Sequence, residues 1–250
     1  MKILLTNCNT TDSMTAAIAA QARASARPGT EIVAVTPGWG PPSCEGWYDS
    51  FLSAAAVLET VRHYPEAFDA LVMAGFGEHG RQGAREILSV PVLDITEAAA
   101  HTAGLMGGRY AVVTSLAATF PLIEASLRDS GCWALCSGLY ATGIEVLELD
   151  AEPDRTVARF LDEARKAVSA GADSIVLGCA GLASLHSRLD EELDVPVIDG
   201  VAAAVALAEA LHQLGIHQPA RPGVLAKAIT ERPLPGPTGG PQLGDPAASL

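Results

Sequence analysis

"DSIVLGCAG" (residues 173–181) is a short apolar run that ends in a cysteine between small residues. "DALVMAGFG" (69–77) repeats this order of residue types earlier in the chain, with Gly75 at the position of Cys179. Each run is continuously apolar and ends in a turn, which is typical of a strand buried on both faces of a parallel sheet. The two stretches therefore indicate an internal repeat.

The repeat extends to other segments of the chain. "VPVLDITEAAA" (90–100) is similar to "VPVIDGVAAAV" (195–205), and "LLTNCNTT" (4–11) corresponds to "VVTSLAAT" (112–119). The predicted strands are 2–6, 31–35, 69–74, 90–94, 110–115, 144–149, 174–178 and 195–199. The predicted helices are 12–25, 48–63, 80–88, 95–106, 118–129, 153–170, 183–192 and 200–214. This alternation predicts an α/β protein of two pseudo-symmetric lobes, each a parallel sheet flanked by helices.

The repeat also sets the expected boundaries of the lobes. The first lobe is expected to comprise residues 1–105 and 200–215, and the second lobe residues 106–199. Residues 216–250 are rich in proline and glycine without an apolar period, which predicts a disordered tail. Ligands of open α/β sheets bind beyond the carboxyl ends of the strands, so the site is expected in the cleft between the lobes.

Composition excludes several classes of partner. The chain has 250 residues, 49% of them hydrophobic, and a formal net charge of −13. No basic patch is visible, which argues against nucleic acid or an anionic membrane as a partner. No apolar run reaches the roughly 18 residues of a transmembrane helix, and no signal peptide is recognisable, so the expected location is the cytoplasm. The five cysteines are irregularly spaced and predict neither a disulfide framework nor a zinc site.

Cys179 is the main candidate for chemistry. It lies at the predicted tip of a strand, and a helix is predicted to begin after Gly181. A helix N-terminus stabilises a thiolate, so Cys179 is a candidate acid/base or nucleophile. A small buried core cysteine fits the same position equally well.

Four motifs carry a resemblance to a known family. They are "LLTNCNTTDSMT" (4–15), "GPPSCEGWYD" (40–49), "AGFGEHG" (74–80) and "VLGCAGLA" (176–183). Over roughly residues 1–215 the chain resembles the hydantoin and allantoin racemase branch of the aspartate/glutamate racemase superfamily. The resemblance implies two α/β lobes around a site for a small-molecule substrate, with no cofactor or metal. It also implies one cysteine from each lobe facing the substrate α-carbon, and a homo-oligomer is expected.

The chain departs from the family pattern at the first-lobe cysteine. The second-lobe cysteine is present as Cys179, but Gly75 stands at the first-lobe position, and Cys8 stands where the family has proline. Cys8, Glu78 and His79 are the candidates for a substitute base. The ordinary interpretations are a solvated or helix-capping Glu78, a surface His79 and a space-filling Cys8.

Gly75 leaves two further functions open. Arylmalonate decarboxylases, which the chain also resembles in this respect, have glycine at the first position and one cysteine in the second lobe. The hydroxyl pair that follows that glycine in the decarboxylases is absent, because Phe76 and Gly77 follow it here. A non-catalytic small-molecule binder, or an altered variant lacking one base, is the other alternative. Under the hypothesis that the protein is a racemase, Gly75→Cys is expected to create or increase racemisation.

Removing a proton next to a carbonyl builds negative charge on oxygen, and preorganised donors must stabilise that charge. Such donors are expected at the tips of strands in both lobes, from backbone N–H groups and from polar side chains. The expected substrate-binding residues are Asn9, Thr10, Ser43, Gly75, Phe76, Gly77, Thr114, Ser115, Ala180 and Gly181. Ser43 is expected to close over the site on a loop, and ordinary turn or helix-cap roles are the alternative for the others.

Overall fold

The computed structural model describes residues 1–149 and 151–216. The predicted tail, 216–250, lies outside the described residues apart from Ile216. The strands are β1 (Lys2–Asn7), β2 (Glu31–Val35), β3 (Ala70–Ala74), β4 (Val92–Asp94), β5 (Tyr110–Thr114), β6 (Cys136–Ala141), β7 (Ser174–Leu177) and β8 (Val197–Ile198). The α-helices are α1 (Asp12–Ser25), α2 (Trp47–Arg62), α3 (Arg81–Ile87), α4 (Ile95–Met106), α5 (Phe120–Asp129), α6 (Pro153–Ser169), α7 (His186–Glu191) and α8 (Gly200–Gln213).

The strands form two four-stranded sheets with the orders β2-β1-β3-β4 and β6-β5-β7-β8. Every strand pairing is parallel. The central strands are almost wholly buried, which explains their continuous apolar sequences. The matching orders confirm the predicted α/β class and its two similar lobes. Within the described residues, no helix is both long enough and apolar enough to cross a membrane.

The predicted strand 144–149 is wrong. This segment contains a 3₁₀ turn, Val146–Glu148. The edge strand beside β5 is β6, which was not predicted from the sequence. Ile144 and Val146 are buried while Glu145 and Leu147 are exposed, so the segment has the alternation of a strand. Its apolar side chains pack beside α6 instead, because β6 already occupies the free edge of β5.

The predicted helix 183–192 also needs correction. Residues Ala180–Leu185 form a 3₁₀ turn, and the α-helix begins at His186. The other predicted helices agree with the structure to within two residues at each end. Cys179 is therefore followed by a 3₁₀ turn and a short helix, and the expected stabilisation of its thiolate by a long helix loses its basis.

Helices α4 and α8 join the two lobes. Asp94 caps α4 by accepting hydrogen bonds from two backbone N–H groups, and Asp199 caps α8 in the same way through one. The helices pack against each other, and α4 also contacts β7 while α8 contacts β3, so each reaches the opposite sheet. A Cβ atom at Gly200 would lie 2.5 Å from the carbonyl oxygen of Ile95, so only glycine permits this approach. The predicted residue boundaries of the lobes stay a prediction.

Arg81, the first residue of α3, is completely buried among carboxylates. Its guanidinium pairs with Asp94, lies 3.4 Å from the Glu97 carboxylate and lies 2.6 Å from the Asp129 carboxylate. Asp94 and Glu97 belong to the β4–α4 segment, whereas Asp129 ends α5, the helix that follows β5 in the chain. The cluster therefore ties the loop before α3 to both lobes.

Replacing Arg81 with methionine is expected to lower the free energy of unfolding by about 3–5 kcal/mol, because it leaves buried carboxylates without their partner. Urea denaturation measures the change. Arg155→Met is the control, because Arg155 and Glu152 form an exposed pair at 3.3 Å, and exposed pairs contribute at most about 1 kcal/mol. Equal losses in the two variants would contradict a structural role for the Arg81 cluster.

Candidate active site

The segments that follow β1, β3, β5 and β7 surround one cavity of about 30 Å³. The second lobe contributes Thr114 and Ser115 at the end of β5, and Gly178, Cys179 and Ala180 after β7. The first lobe contributes Asn7, Cys8 and Asn9 at the end of β1, and Gly75, Phe76 and His79 after β3. The cavity thus lies at the carboxyl ends of the central strands of both sheets, where parallel sheets bind ligands.

Most of the predicted site residues line this cavity. Those that do are Cys8, Asn9, Gly75, Phe76, His79, Thr114, Ser115, Cys179 and Ala180. The predicted residues that do not are Thr10, Ser43, Gly77, Glu78 and Gly181. Gly77 instead donates its N–H to Thr96 Oγ1 at 2.7 Å, and the Glu78 carboxylate accepts the N–H of Gly80 at 3.1 Å. Their roles toward a substrate stay predictions.

Asparagine side chains shape the turn between β1 and α1. Asn7 Oδ1 accepts the N–H of Cys8 at 2.8 Å. Asn9 Oδ1 accepts from Asn7 Nδ2 at 2.9 Å and from the N–H of Thr11 at 3.0 Å. Both of these bonds use the oxygen of Asn9, and its Nδ2 group donates to Met14 Sδ at 3.6 Å, a weak acceptor. Asn9 and Met14 both line the cavity, and the amide of Asn9 has a second N–H that can donate.

Thr10 and Thr11 hold a loop over the cavity. Thr10 N–H donates to the carbonyl oxygen of Pro41 at 3.1 Å, and Thr11 Oγ1 donates to that of Pro42 at 2.7 Å. This loop, residues 41–46, places Cys44 in the cavity wall. Ser43 Oγ turns away to donate to Glu45 Oε1 at 3.0 Å. The expectation that this loop approaches the site fits the geometry, with Cys44 rather than Ser43 as its lining residue.

The same loop meets the second lobe. Glu45 Oε1 accepts the N–H of Val146 at 3.4 Å, and Val146 also lines the cavity. Val146 belongs to the 3₁₀ turn that replaced the predicted strand 144–149. A long hydrogen bond between the lobes therefore lies at the edge of the cavity.

Gly75 has no room for a side chain. A Cβ atom there would lie 2.4 Å from His79 Cδ2, 2.6 Å from Cys8 Cβ and 2.9 Å from Cys8 Sγ. Cys8 and His79 thus occupy the volume that a side chain at position 75 would need. The expectation that Gly75→Cys simply adds a second thiol to the cavity is corrected by this packing, since one of these neighbours would have to move first.

His79 is buried, so its interpretation as a surface residue is wrong. Its Nδ1 atom lies 3.1 Å from Ser50 Oγ and 3.5 Å from Cys44 Sγ, and Ser50 Oγ donates to the carbonyl oxygen of Glu78 at 2.5 Å. Burial lowers the pKa of His79 below its ordinary value. The imidazole is therefore neutral near pH 7 and is held by contacts on its Nδ1 side.

Burial also raises the pKa values of the first-lobe thiols, Cys8 and Cys44. It raises the pKa of Cys8 well above the usual thiol range, and negative charge on Cys44 or Cys179 would raise it further. Burial raises the pKa of Cys44 to about 12. Both thiols are therefore protonated at neutral pH in this closed arrangement. The chain's cysteines form no disulfide, and the described residues contain no cluster of three His, Cys, Asp or Glu that could hold a metal.

Several lining residues were not predicted from the sequence, namely Asn7, Met14, Ile18, Cys44, Ala74, Thr119 and Val146. Met14 and Ile18 lie one turn apart on α1, so helical periodicity assigns them to one face. Thr119 aligns with Thr11 in the repeat, which was an available signal. Cys44 and Val146 are placed by a loop and a 3₁₀ turn, for which no sequence period exists.

The comparisons with known proteins agree with this geometry. Residues 3–208 match the family described as Asp/Glu/Hydantoin racemase. A hydantoin racemase from Pseudomonas sp. (strain NS671) is 38% identical over 217 residues, 86% of this chain and 87% of that protein. The crystal structure of allantoin racemase from Pseudomonas fluorescens is 46% identical, covers 94% of this chain and 98% of its own, and has a TM-score of 0.86.

A more distant structure shares only the fold. Arylmalonate decarboxylase is 19% identical, with a TM-score of 0.58 over 90% of this chain and 94% of its own. The chain belongs to the Asp/Glu/hydantoin racemase family. Within that family, its relatives assign it to the hydantoin and allantoin racemase branch, a branch of isomerases.

Gly75→Ala is expected to lower the free energy of unfolding by about 1–3 kcal/mol, because the added methyl group overpacks the space filled by Cys8 and His79. Thermal or urea unfolding measures the loss. Gly38→Ala is the matched control, since a Cβ atom at Gly38 has nothing within 4 Å. A Gly75→Ala protein as stable as the control would mean that Cys8 and His79 move aside at little cost in free energy.

Proposed function

We propose that this protein racemises a hydantoin-like cyclic ureide, or a small carboxylate, by moving a proton at the carbon next to a carbonyl group. Cys179 is the acid/base from the second lobe, and no cofactor takes part. The observation that carries the proposal is the position of Cys179 after β7, in a cavity shared with the polar ends of β1 and β5. The hydantoin and allantoin racemases among the relatives support the substrate class.

The reaction needs both a base and a stabilised oxygen. A thiolate at Cys179 takes the proton from the α-carbon, and the electron pair of that bond moves onto the carbonyl oxygen. Asn9 Nδ2 is positioned to donate to this oxygen, because its partner atom Oδ1 is fixed by Asn7 and Thr11. Donors that are already oriented before the reaction stabilise the developing charge at little reorganisation cost.

The cavity must enlarge to admit such a substrate. Its volume of about 30 Å³ is far below the roughly 300–1,000 Å³ that is typical of small-molecule sites. The wall formed by the 41–46 loop and Val146 is held across the lobes by the long bond from Val146 N–H to Glu45 Oε1. We infer that substrate reaches Cys179 when this wall moves outward.

The direct test incubates the wild-type protein with single enantiomers of 5-substituted hydantoins, with allantoin and with an aryl malonate, all in D₂O. Loss of optical rotation together with deuterium uptake at the α-carbon is expected for a ureide, measured against a blank without protein. No change in any ureide above the blank would contradict the proposed function.

Cys179→Ser is expected to lower the racemisation rate about 10²–10⁴-fold, because a serine hydroxyl is too weak an acid/base at neutral pH. The similar volume of serine should leave thermal unfolding nearly unchanged. Cys136→Ser serves as control, because Cys136 is buried away from the cavity, with its thiol 3.5 Å from the carbonyl oxygen of Gly138. A Cys179→Ser enzyme that keeps more than about a tenth of the activity would exclude the acid/base role.

Asn9→Asp is expected to lower kcat about 10²–10³-fold, the usual effect of losing one donor to an oxyanion. The carboxylate can still accept the bonds from Asn7 Nδ2 and the N–H of Thr11, so the turn is preserved. Steady-state kinetics on the active ureide measures the effect, and Thr102→Val, at a position that does not line the cavity, is the control. An unchanged kcat would show that the oxygen is stabilised elsewhere.

Gly75 favours a second candidate, a decarboxylase of malonate-type substrates. Loss of CO₂ creates the carbanion directly, so one thiol suffices to protonate it, and position 75 offers none. The same D₂O experiment separates the two, since CO₂ release from the aryl malonate without inversion of a ureide would favour the decarboxylase.

A further inference from the structure

Racemisation places a chemical demand on the side of the cavity opposite Cys179. Removal of the α-proton leaves a planar carbanion, and return of a proton to the same face restores the starting enantiomer. Inversion therefore needs a second acid/base on the other face. The internal repeat points to the end of β3 for this group, because Gly75 is the counterpart of Cys179, but glycine has no side chain to supply it.

The first lobe offers three titratable side chains in the cavity wall, namely Cys8, Cys44 and His79. Glu78 is not among the lining residues, and its carboxylate is engaged by the N–H of Gly80 at 3.1 Å. The choice therefore depends on which of the three side chains lies where a side chain at position 75 would project.

The sulfur atom of Cys8 lies where a side chain at position 75 would project. Its Sγ lies 2.9 Å from the place of a Cβ atom at Gly75, and its own Cβ lies 2.6 Å from that place. Strands β1 and β3 are adjacent and parallel, with Asn7 opposite Ala74, so Cys8 and Gly75 are the next residues along both strands. The thiol of Cys8 thus fills the volume of the missing side chain from the neighbouring strand.

His79 and Cys44 do not place a titratable atom at this position. His79 approaches the same place with a ring carbon, Cδ2, at 2.4 Å, while its Nδ1 atom faces Ser50 Oγ and Cys44 Sγ. Cys44 comes from the 41–46 loop rather than from the end of a strand, and its thiol contacts the imidazole at 3.5 Å. These contacts are consistent with supporting roles beside the cavity.

We propose that Cys8 is the first-lobe acid/base of the racemisation, with its thiol in the space that Gly75 leaves open and on the face of the substrate opposite Cys179. This inference rests on the proposed function. It places the first-lobe acid/base at the end of β1, whereas the repeat alone would place it at the end of β3.

The proton transfer balances without any other reactant. The Cys179 thiolate takes the α-proton, and the electron pair of the C–H bond becomes part of the enolate. The Cys8 thiol, which burial keeps protonated, then gives its proton to the opposite face, a new C–H bond forms, and the enolate returns to the carbonyl form. Cys179 is left as thiol and Cys8 as thiolate, which is the state needed to convert the other enantiomer.

The electrostatics of the cavity suit this exchange of roles. Negative charge on Cys179 raises the pKa of Cys8, so the two thiols are close enough to influence each other. Burial and this repulsion together disfavour two thiolates at once. The cavity therefore disfavours the state in which both groups are thiolates, a state in which no thiol proton is left to return to the substrate.

The test compares Cys8→Ser and Cys179→Ser on both enantiomers of the hydantoin or allantoin that the wild type racemises, in D₂O. Polarimetry follows inversion, and NMR follows replacement of the α-proton by deuterium. Inversion is expected to fall about 10²–10⁴-fold in both variants. Each variant should still exchange the α-proton of one enantiomer only, and the two variants should retain opposite enantiomers, because each keeps the base on a different face.

Cys8→Ala is the second variant, in case a buried hydroxyl disturbs folding, and Cys136→Ser is the control for loss of a buried thiol outside the cavity. A Cys8 variant that keeps inversion would overturn the proposal. So would a folded Cys8 variant that exchanges neither enantiomer, or one-sided exchange in His79→Gln in place of Cys8→Ser. A wild type that racemises nothing would instead refute the proposed function, so the two failures are distinguishable.

Discussion

The close contact between α4 and α8 fixes the position of one sheet relative to the other. Gly200 has no space for a Cβ atom against the carbonyl oxygen of Ile95, and each helix contacts a strand of the opposite sheet. The apolar residues of both lobes consequently form a shared core, with Val72 and Val176 among its buried members. The cavity exists because this packing brings the carboxyl ends of the two sets of strands together.

Within that frame, the segment between β3 and α3 is held at both ends. Gly77 is bound through its N–H to Thr96 Oγ1, and Arg81 is bound to carboxylates of both lobes. His79 lies between these anchors and is buried against Gly75. The ion pairs of Arg81 and the bond of Gly77 thus restrict the loop that places Gly75 and His79 in the cavity wall.

Much of this arrangement could be predicted from the sequence. The repeat of "DALVMAGFG" in "DSIVLGCAG" identified the matching strands β3 and β7, because buried parallel strands have uninterrupted apolar runs. The edge strand β6 was missed, since an edge strand such as "CSGLYA" lacks such a run. The segment 144–149 was wrongly predicted as a strand, because a turn that buries every second side chain has the same period as a strand.

The site was less accessible to prediction than the fold. Strand ends are visible in a sequence, so Cys179, Asn9 and Ser115 could be named. The approach of Cys8 to Gly75 could not be derived, because it depends on the register of neighbouring strands and on side-chain directions. The burial of His79 depends on a loop anchored elsewhere, for which a single sequence offers no period.

The bond between Glu45 and Val146 would make ligand affinity a property of two conformations if the cavity wall opens as proposed. If the cavity wall is closed in most molecules, only the open fraction is competent to bind, and the apparent dissociation constant equals the intrinsic one divided by that fraction. In that case the bond from Val146 N–H to Glu45 Oε1, whose carboxylate does not line the cavity, would change the strength of binding through the open fraction. Selection for a tighter or looser enzyme can act on this loop while the strand ends that carry the thiols remain unchanged.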